Sequence, residues 1–156
     1  MSVTSSATVA RYLGAVAVLA AGVEHLLQYT VDHYSVVPTI GTRFVLNFVA
    51  AVVLAIGLVI PLRRVSRGYT GAVRAVVAMG GIAFALSSLA GLFVSETGGL
   101  FGFVERGYRT AIVVTIATEA AAVVCLTVFL LATGTAPLGR RDRKPISRPA
   151  VPGGAS

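Results

Sequence analysis

Apolar residues occur along this chain in four long blocks, separated by shorter stretches that carry most of the charged residues. A hydrocarbon core about 30 Å thick is crossed by roughly 20 residues of helix, because each residue rises about 1.5 Å. Backbone groups in lipid must bond to one another, so helices are the expected form. The pattern predicts an all-α integral membrane four-helix bundle over residues 10–133, with spans at about 12–29, 44–62, 75–94 and 110–133.

The composition agrees with this prediction, since 56% of the residues are hydrophobic, 12% are charged and the mean hydropathy is +0.86. The first block has an alternative interpretation. Arg11, the apolar run and the small residues at 20–22 resemble a cleavable signal peptide. Because the run continues to Tyr29, we interpret it as an uncleaved span after a short cytoplasmic N-terminus, residues 1–9.

Basic residues are distributed unequally about the predicted spans. If the spans alternate in direction, ten of the thirteen lie on one side: Arg11, Arg63, Arg64, Arg67, Arg74, Arg140, Arg141, Arg143, Lys144 and Arg148. The opposite side has Arg43, Arg106 and Arg109. The positive-inside rule then predicts a multi-pass protein of the cytoplasmic membrane with both termini in the cytoplasm.

The formal charge of +7 is mainly an orientation signal. Nucleic acid is not an expected partner, because the basic residues flank spans and no aromatic residues interleave with them. The expected partners are the lipid bilayer and either further copies of the chain or another membrane protein. Residues 134–156 are rich in Pro, Gly and Arg and predict a disordered, basic cytoplasmic tail.

Polar residues enter all four spans at a similar depth below the outer surface. In the stretch AAGVEHLLQYT, Glu24 and Gln28 share a helical face, with Glu24 roughly 10 Å deep. In the fourth span, Glu119 lies roughly 15 Å deep on a face that it shares with Thr115. This polar level also includes His25, Asn47, Ser87 and Ser88.

Ionisable residues within a bilayer are costly, about 2.5 to 3.5 kcal/mol at its centre for Asp, and they usually face the bundle interior. Glu24 and Glu119 are therefore expected to point inward, toward each other or toward a cation such as a protonated His25. The outer rim has the charged residues Arg43, Glu96, Glu105, Arg106 and Arg109. Three roles stay open for the polar level: interhelical hydrogen bonds that hold the bundle, a proton or substrate pathway, and a bound cofactor.

A histidine within a span raises the question of a metal or haem. His25 and His33 are eight residues apart with a predicted helix end between them, and no His, Cys or carboxylate set has metal-ligand spacing. Cys125 is the single cysteine, so a Cys-based site is excluded. We expect no metal and no cofactor, and a neutral His25 that donates to a carboxylate or a backbone carbonyl.

Motifs of the common enzyme classes are missing from the sequence. It has no GxSxG, no P-loop and no HExxH, and GGLFGF lies in a predicted outer loop without the strand and helix of a phosphate-binding loop. Two carboxylates alone are weak evidence for acid–base chemistry. The sequence therefore favours a protein that is not an enzyme, without deciding the question.

The stretches EHLLQY, VPTIGTRFVLNF and GLFGFVERGYRTAI lie at the end of the first span, the start of the second and the start of the fourth. With this layout the chain resembles small four-span membrane proteins of actinobacteria whose function is unassigned. The resemblance covers most of residues 10–133 and implies the fold and a plasma-membrane location, but no activity.

A weaker likeness is to the small multidrug resistance transporters, which have four spans and an essential glutamate in the first. The counterpart of that glutamate here is Glu24. This chain departs from that family in having no tryptophan, a second membrane glutamate at Glu119, long outer loops and a strong charge bias.

Three functions are compatible with these observations. The leading hypothesis is a non-enzymatic membrane protein, either an accessory subunit or a binder of a small or lipidic ligand in the outer half of the bundle. The alternative is a proton-coupled small transporter that uses Glu24 and Glu119. The third is a redox or haem-binding membrane protein that uses His25.

Overall fold

Helices dominate the computed structural model, which describes residues 3–61, 69–101, 104 and 109–134. The four α-helices are α1 (Val3–Thr30), α2 (Pro38–Val59), α3 (Thr70–Thr97) and α4 (Thr110–Gly134), with a one-turn 3₁₀ helix at Tyr34–Val36. By length and composition, all four α-helices can cross a membrane. The predicted all-α four-helix bundle is therefore confirmed.

The helix ends differ from the predicted spans in ways that local chemistry explains. α2 begins at Pro38 rather than at residue 44, because proline without an N–H group fits the first position of a helix. α2 ends at Val59 rather than at residue 62, because Pro61 forces Ile60 into an extended conformation, with ψ at 139°.

The other helices mostly extend beyond the predicted apolar blocks. α1 begins at Val3, so most of the predicted N-terminal tail continues the helix of the first span. α3 extends the predicted span at both ends, whereas α4 agrees with its prediction to within one residue. The basic residues at 62–68 and the predicted tail beyond Gly134 lie outside the described residues.

The helices pack in a ring in which α1 contacts α2 and α4, and α3 contacts the same two helices from the opposite corner. Arg11 near the start of α1 meets Leu58 near the end of α2, whereas Gln28 near the end of α1 meets Thr115 near the start of α4. α1 therefore runs antiparallel to both neighbours. We call the end with the α1–α2 and α3–α4 connections the outer end, and the opposite end the inner end.

The middle of the bundle is tightly closed around Leu126 of α4, which is fully buried. A Cβ atom added to Gly14 of α1 would lie 2.5 Å from Leu126 Cδ2, and one added to Gly81 of α3 would lie 2.6 Å from Leu126 Cδ1. The two glycines thus leave room for one leucine side chain between three helices. Close approach through small residues is the usual packing of helices in membranes.

Arg11 was expected to flank the first span at the membrane surface, but the structure buries it. It is 7% exposed, and its Nη1 donates a hydrogen bond of 2.8 Å to the carbonyl oxygen of Leu58. The last four carbonyls of a helix lack intrahelical partners, and a cation at a helix C-terminus also interacts favourably with the helix dipole. Arg11 therefore joins the inner ends of α1 and α2.

Candidate functional site

A cavity of about 160 Å³ lies toward the outer end of the bundle, and all four helices contribute to its wall. It is lined by His25, Gln28, Ile40, Arg43, Phe44, Asn47, Ser87, Ser88, Gly91, Leu92, Ser95, Leu100, Ile112, Thr115 and Glu119. Every residue of the predicted polar level lines it except Glu24. The structure thus brings the expected polar side chains of four helices into one space.

The position of Glu24 follows from the buried stripe of α1. The stripe follows three- and four-residue steps, as a packed helical face requires: Ala7, Arg11, Gly14, Val18, Ala21, His25 and Gln28. Glu24 precedes His25 by one residue, about 100° around the helix. It is half-buried and lies outside the cavity lining. Of the alternatives expected for Glu119, a contact with Glu24 or with a residue such as His25, the structure has the contact with His25, and Glu24 does not line the cavity.

His25 is held on several sides and is 3% exposed. Its ring stacks on Phe44 of α2 at a centroid distance of 5.3 Å and meets the edge of Phe84 of α3 at 6.2 Å. Its Nε2 atom lies 3.1 Å from Ser88 Oγ and 3.3 Å from Glu119 Oε1. The expected contact between this histidine and a carboxylate is therefore present, and the aromatic rings fix its direction.

Glu119 is fully buried, and its contact with His25 does not complete its hydrogen bonding. The 3.3 Å approach has the distance of an ion pair but not the geometry of a hydrogen bond. Within the part of the chain that the structure describes, neither Oε1 nor Oε2 of Glu119 has a hydrogen-bond partner, and nor does Nδ1 of His25. A buried acceptor left unpaired in this way costs about 1 to 3 kcal/mol, and more if it is charged.

A second polar contact crosses the bundle one turn further out. Gln28 Nε2 donates to Thr115 Oγ1 at 2.9 Å, and both residues are buried. Thr115 Oγ1 in turn donates to the carbonyl oxygen of Ala111 at 2.9 Å. This contact joins α1 to α4 and is an interhelical hydrogen bond of the kind expected from sequence.

The cavity reaches the surface at the outer end through Arg43, which lines it and is exposed. The Arg43 guanidinium lies 4.6 Å from the centroid of the Phe101 ring, a cation–π contact that links α2 to the α3–α4 connection. Phe101 has a φ of 53°, an uncommon conformation for a residue other than glycine. Arg43 thus joins the cavity wall to the α3–α4 connection.

Arg109 holds the other side of the outer end. Its Nη2 donates to Tyr34 Oη at 2.6 Å, and its Nη1 lies 3.6 Å from Asp32 Oδ2. Tyr34 then packs edge-on against Phe44 at 5.1 Å, and Phe44 stacks on His25. A continuous row of side chains therefore connects the outer surface to the buried histidine.

The remaining outer-rim residues are not part of the site as described. Glu96 is half-buried near the end of α3 and does not line the cavity. Glu105 and Arg106 lie outside the described residues. Of the predicted rim residues, Arg43 lines the cavity. Arg109 contacts Tyr34, which packs against the lining residue Phe44.

Sequence reasoning missed several residues of the site. Ser95 is buried and lines the cavity, and it could have been found from its helical register with Ser88, about two turns earlier in α3. Phe44 was assigned only to the second apolar block, and nothing in its spacing indicates that it stacks on His25. Asp32 and Tyr34 lie in the connection between α1 and α2, where no helical periodicity predicts which side chains will contact each other.

The donor set does not resemble a metal centre. Among the described residues, no group of three or more His, Cys, Asp or Glu side chains could hold a metal ion. His25 and Glu119 face a cavity whose other polar groups are hydroxyl groups, amide groups and the Arg43 guanidinium. Chemically, the site can exchange a proton between an imidazole and a carboxyl, or hold a small polar molecule against them.

Comparisons of the chain with family models, curated proteins and solved structures give no match. The fold and the site define the chain as an all-helical bundle with four helices able to span a membrane and a polar cavity between them. Its function is therefore argued from its own residues.

Proposed function

We propose that this protein is a multi-pass protein of the cytoplasmic membrane that binds a small polar molecule in its outer cavity. Both termini lie in the cytoplasm in this proposal, because most of the basic residues flank the inner end. The cavity then opens toward the outside of the cell, beside Arg43. The protein acts as a binder or an accessory subunit and does not transform the molecule chemically.

The observation that carries the proposal is the carboxyl group of Glu119. It is fully buried, both of its oxygens lack a hydrogen-bond partner among the described side chains and backbone groups, and it lines a cavity. Buried polar groups in proteins are nearly always paired, so exceptions next to a space point to a ligand or to water. A purely structural role for Glu119 would be better served by a direct interhelical bond such as that of Gln28.

The size of the cavity limits what it can hold. An engineered apolar cavity of about 150 Å³ holds benzene, so about 160 Å³ suits a molecule of roughly six to eight non-hydrogen atoms. A complete lipid does not fit in this volume, which favours the small ligand over the lipidic one. The same limit counts against a haem at His25, the third function considered from sequence.

Proton-coupled transport is the second candidate, and one contact favours it. His25 and Glu119 approach to 3.3 Å with side chains that are 4% and 1% exposed, and a histidine next to a carboxylate is a common proton-exchanging pair in membranes. In this version His25 replaces Glu24 as the partner of Glu119. A transporter also needs an alternating opening to the inner end, and the helices pack closely around Leu126 between the cavity and that end.

A cavity-filling substitution tests the proposed binding. Gly91 lines the cavity, and a Cβ atom added there meets only Leu100 Cδ2, at an ordinary distance of 3.8 Å. Gly91→Leu should therefore occupy the cavity without disrupting the helices. A set of small molecules of about six non-hydrogen atoms is added to the protein in nanodiscs, and the thermal midpoint of unfolding is followed by circular dichroism. Binding raises the midpoint of the native protein.

The matched control is Gly71→Leu, at a glycine of the same helix with no atom within 4 Å of an added Cβ and no part in the cavity. We expect Gly71→Leu to retain every ligand-induced rise in the midpoint and Gly91→Leu to lose it. Equal rises in both variants would show that the molecules act on the lipid or on another surface, and would refute the proposed site.

A further inference from the structure

We infer that the ligand of the outer cavity is a primary ammonium compound with a small apolar body, bound with Glu119 as its counter-ion. This inference rests on the proposed function and names the chemical class of the ligand. It follows from the unpaired, buried oxygens of Glu119 and from three hydroxyl groups of the wall that donate to their own helices and so present only acceptors to the space.

Three hydroxyl groups of the cavity wall already donate their hydrogen to a backbone carbonyl of their own helix. Ser87 Oγ donates to the carbonyl oxygen of Phe84 at 2.9 Å, and Ser95 Oγ donates to that of Leu92 at 2.7 Å. Thr115 Oγ1 donates to its own helix in the same way. Each hydroxyl has one hydrogen to donate, so these three side chains can offer only lone pairs to a ligand.

Glu119 adds the strongest acceptors. An ionised carboxylate accepts hydrogen bonds and donates none, and both of its oxygens are unpaired among the residues described. The neighbouring Nε2 of His25 lies 3.3 Å from Glu119 Oε1 and 3.1 Å from Ser88 Oγ, and of these two contacts the one with Ser88 has hydrogen-bond geometry. The Gln28 amide uses one of its two N–H groups to donate to Thr115, and it makes no hydrogen bond to Glu119.

Arg43, which also lines the cavity, is poorly placed to neutralise Glu119. Arg43 is exposed at the mouth, where its guanidinium lies on the Phe101 ring. A charged ligand that reaches Glu119 therefore passes Arg43 and finds a carboxylate that lacks a full cationic partner. In a low-dielectric interior the attraction between that carboxylate and a cation is much stronger than in water.

A primary ammonium group fits this wall better than other cations. It carries three N–H donors and no acceptor, which complements a set of unpaired lone pairs. A quaternary ammonium ion has the charge but no N–H group, so it would leave the oxygens of Glu119 unpaired. The apolar body of the ligand would contact Phe44, Leu92 and Ile112, which complete the wall.

Four small probes separate these alternatives: isopentylammonium, isopentanol, isovalerate and tetramethylammonium. They are similar in size and differ in charge and in hydrogen-bond donors. Binding is measured by ligand-observed NMR with the protein in nanodiscs, and the signal from protein-free nanodiscs of the same lipid is subtracted. We expect isopentylammonium to bind at least about tenfold more tightly than each of the other three, because sites built around unpaired polar groups reject analogues that lack the matching group.

Two glutamine variants test the role of the carboxylate. Glu119→Gln keeps the shape of the side chain and removes its charge, so it should weaken isopentylammonium binding at least about tenfold and leave isopentanol nearly unchanged. Glu24→Gln is the matched control, since Glu24 is on the adjacent face of α1 and outside the cavity. It should change the affinity for isopentylammonium by less than about twofold.

The outcomes distinguish this inference from the proposed function. If isopentanol or isovalerate binds as tightly as isopentylammonium, the ligand class is wrong although the cavity binds small molecules. Equal binding of tetramethylammonium would refute the requirement for N–H donors. If none of the four binds, both proposals fail. Should Glu119→Gln not fold, the ranking of the four probes on the native protein still decides the ligand class.

Discussion

The contact between α1 and α2 can be tested by moving one methyl group from one helix to the other. Gly22 of α1 faces Ala51 of α2, and a Cβ atom added to Gly22 would overlap the Cβ atom of Ala51. Carbon atoms in contact are normally about 3.5 to 4.0 Å apart, so Gly22→Ala must push the helices apart locally. Gly22→Ala combined with Ala51→Gly restores one methyl group at the same contact.

The expected magnitudes follow from overpacking and helix propensity. Overpacking costs about 1 to 3 kcal/mol, whereas replacing glycine by alanine in a helix gains about 1 kcal/mol. Gly22→Ala alone should therefore lower the free energy of unfolding by about 0 to 2 kcal/mol. In a double-mutant cycle the propensity terms cancel, because each appears equally in a single and in the double variant. The coupling between the two positions should then be about 1 to 3 kcal/mol, with the double variant more stable than the sum of the single effects.

Unfolding by sodium dodecyl sulfate in mixed micelles, followed by far-ultraviolet circular dichroism, suits this chain, because it is helical and has no tryptophan. Gly71→Ala is the control: an added Cβ has no atom within 4 Å, so this variant should be as stable as the native protein or more stable by up to about 1 kcal/mol. Effects of Gly22→Ala and Ala51→Gly that add to within about 0.5 kcal/mol would refute the contact between α1 and α2 at this level.

Two further predictions concern Arg11 and the orientation of the chain in the membrane. Arg11→Met should lower the free energy of unfolding by about 1 to 3 kcal/mol, because it removes a donor to the Leu58 carbonyl. Arg11→Lys should retain part of that stability. Equal stability of the native protein and both variants in the same assay would contradict the capping role. A reporter enzyme fused after Ser156 should be active in the cytoplasm and one inserted at Gly98 outside it, and the opposite result would reverse the proposed orientation.

The number of helices was predictable from sequence because it depends on length and apolarity alone. Four blocks of about 20 apolar residues have few alternatives in a chain of this composition. The helix ends were less accessible, since polar and small residues can continue a helix beyond the apolar block, as in the first turns of α1. Pro38 and Pro61 indicate the two ends of α2, but the predicted span followed the limits of the apolar block and not the prolines.

The depth of the site was also predictable, whereas the face of α1 was not assigned correctly. Residue number along a helix gives depth directly, so Gln28, Ser88 and Glu119 were expected at one level, and they meet there. Of the pair Glu24 and Gln28, which was expected to share a face of α1, Gln28 lines the cavity and Glu24 does not. The small residues Gly14 and Ala21 mark the packed face, and four residues after Ala21 comes His25. A charged residue is not the best marker of the buried face, because small residues define where helices approach.

The two halves of α4 support a functional interpretation of the outer cavity. Leu126 and Glu119 are seven residues apart on one face of this helix, and both are fully buried. Around Leu126, glycines on two other helices allow those helices to pack closely against its side chain. Around Glu119, the same helices carry serines and a histidine and leave about 160 Å³ open. A bundle that can pack as tightly as it does at Leu126 could stabilise itself in the same way at Glu119, with an apolar residue and no unpaired oxygens. The open space and the unpaired carboxyl group together are therefore the contrast on which the proposal of a bound molecule rests.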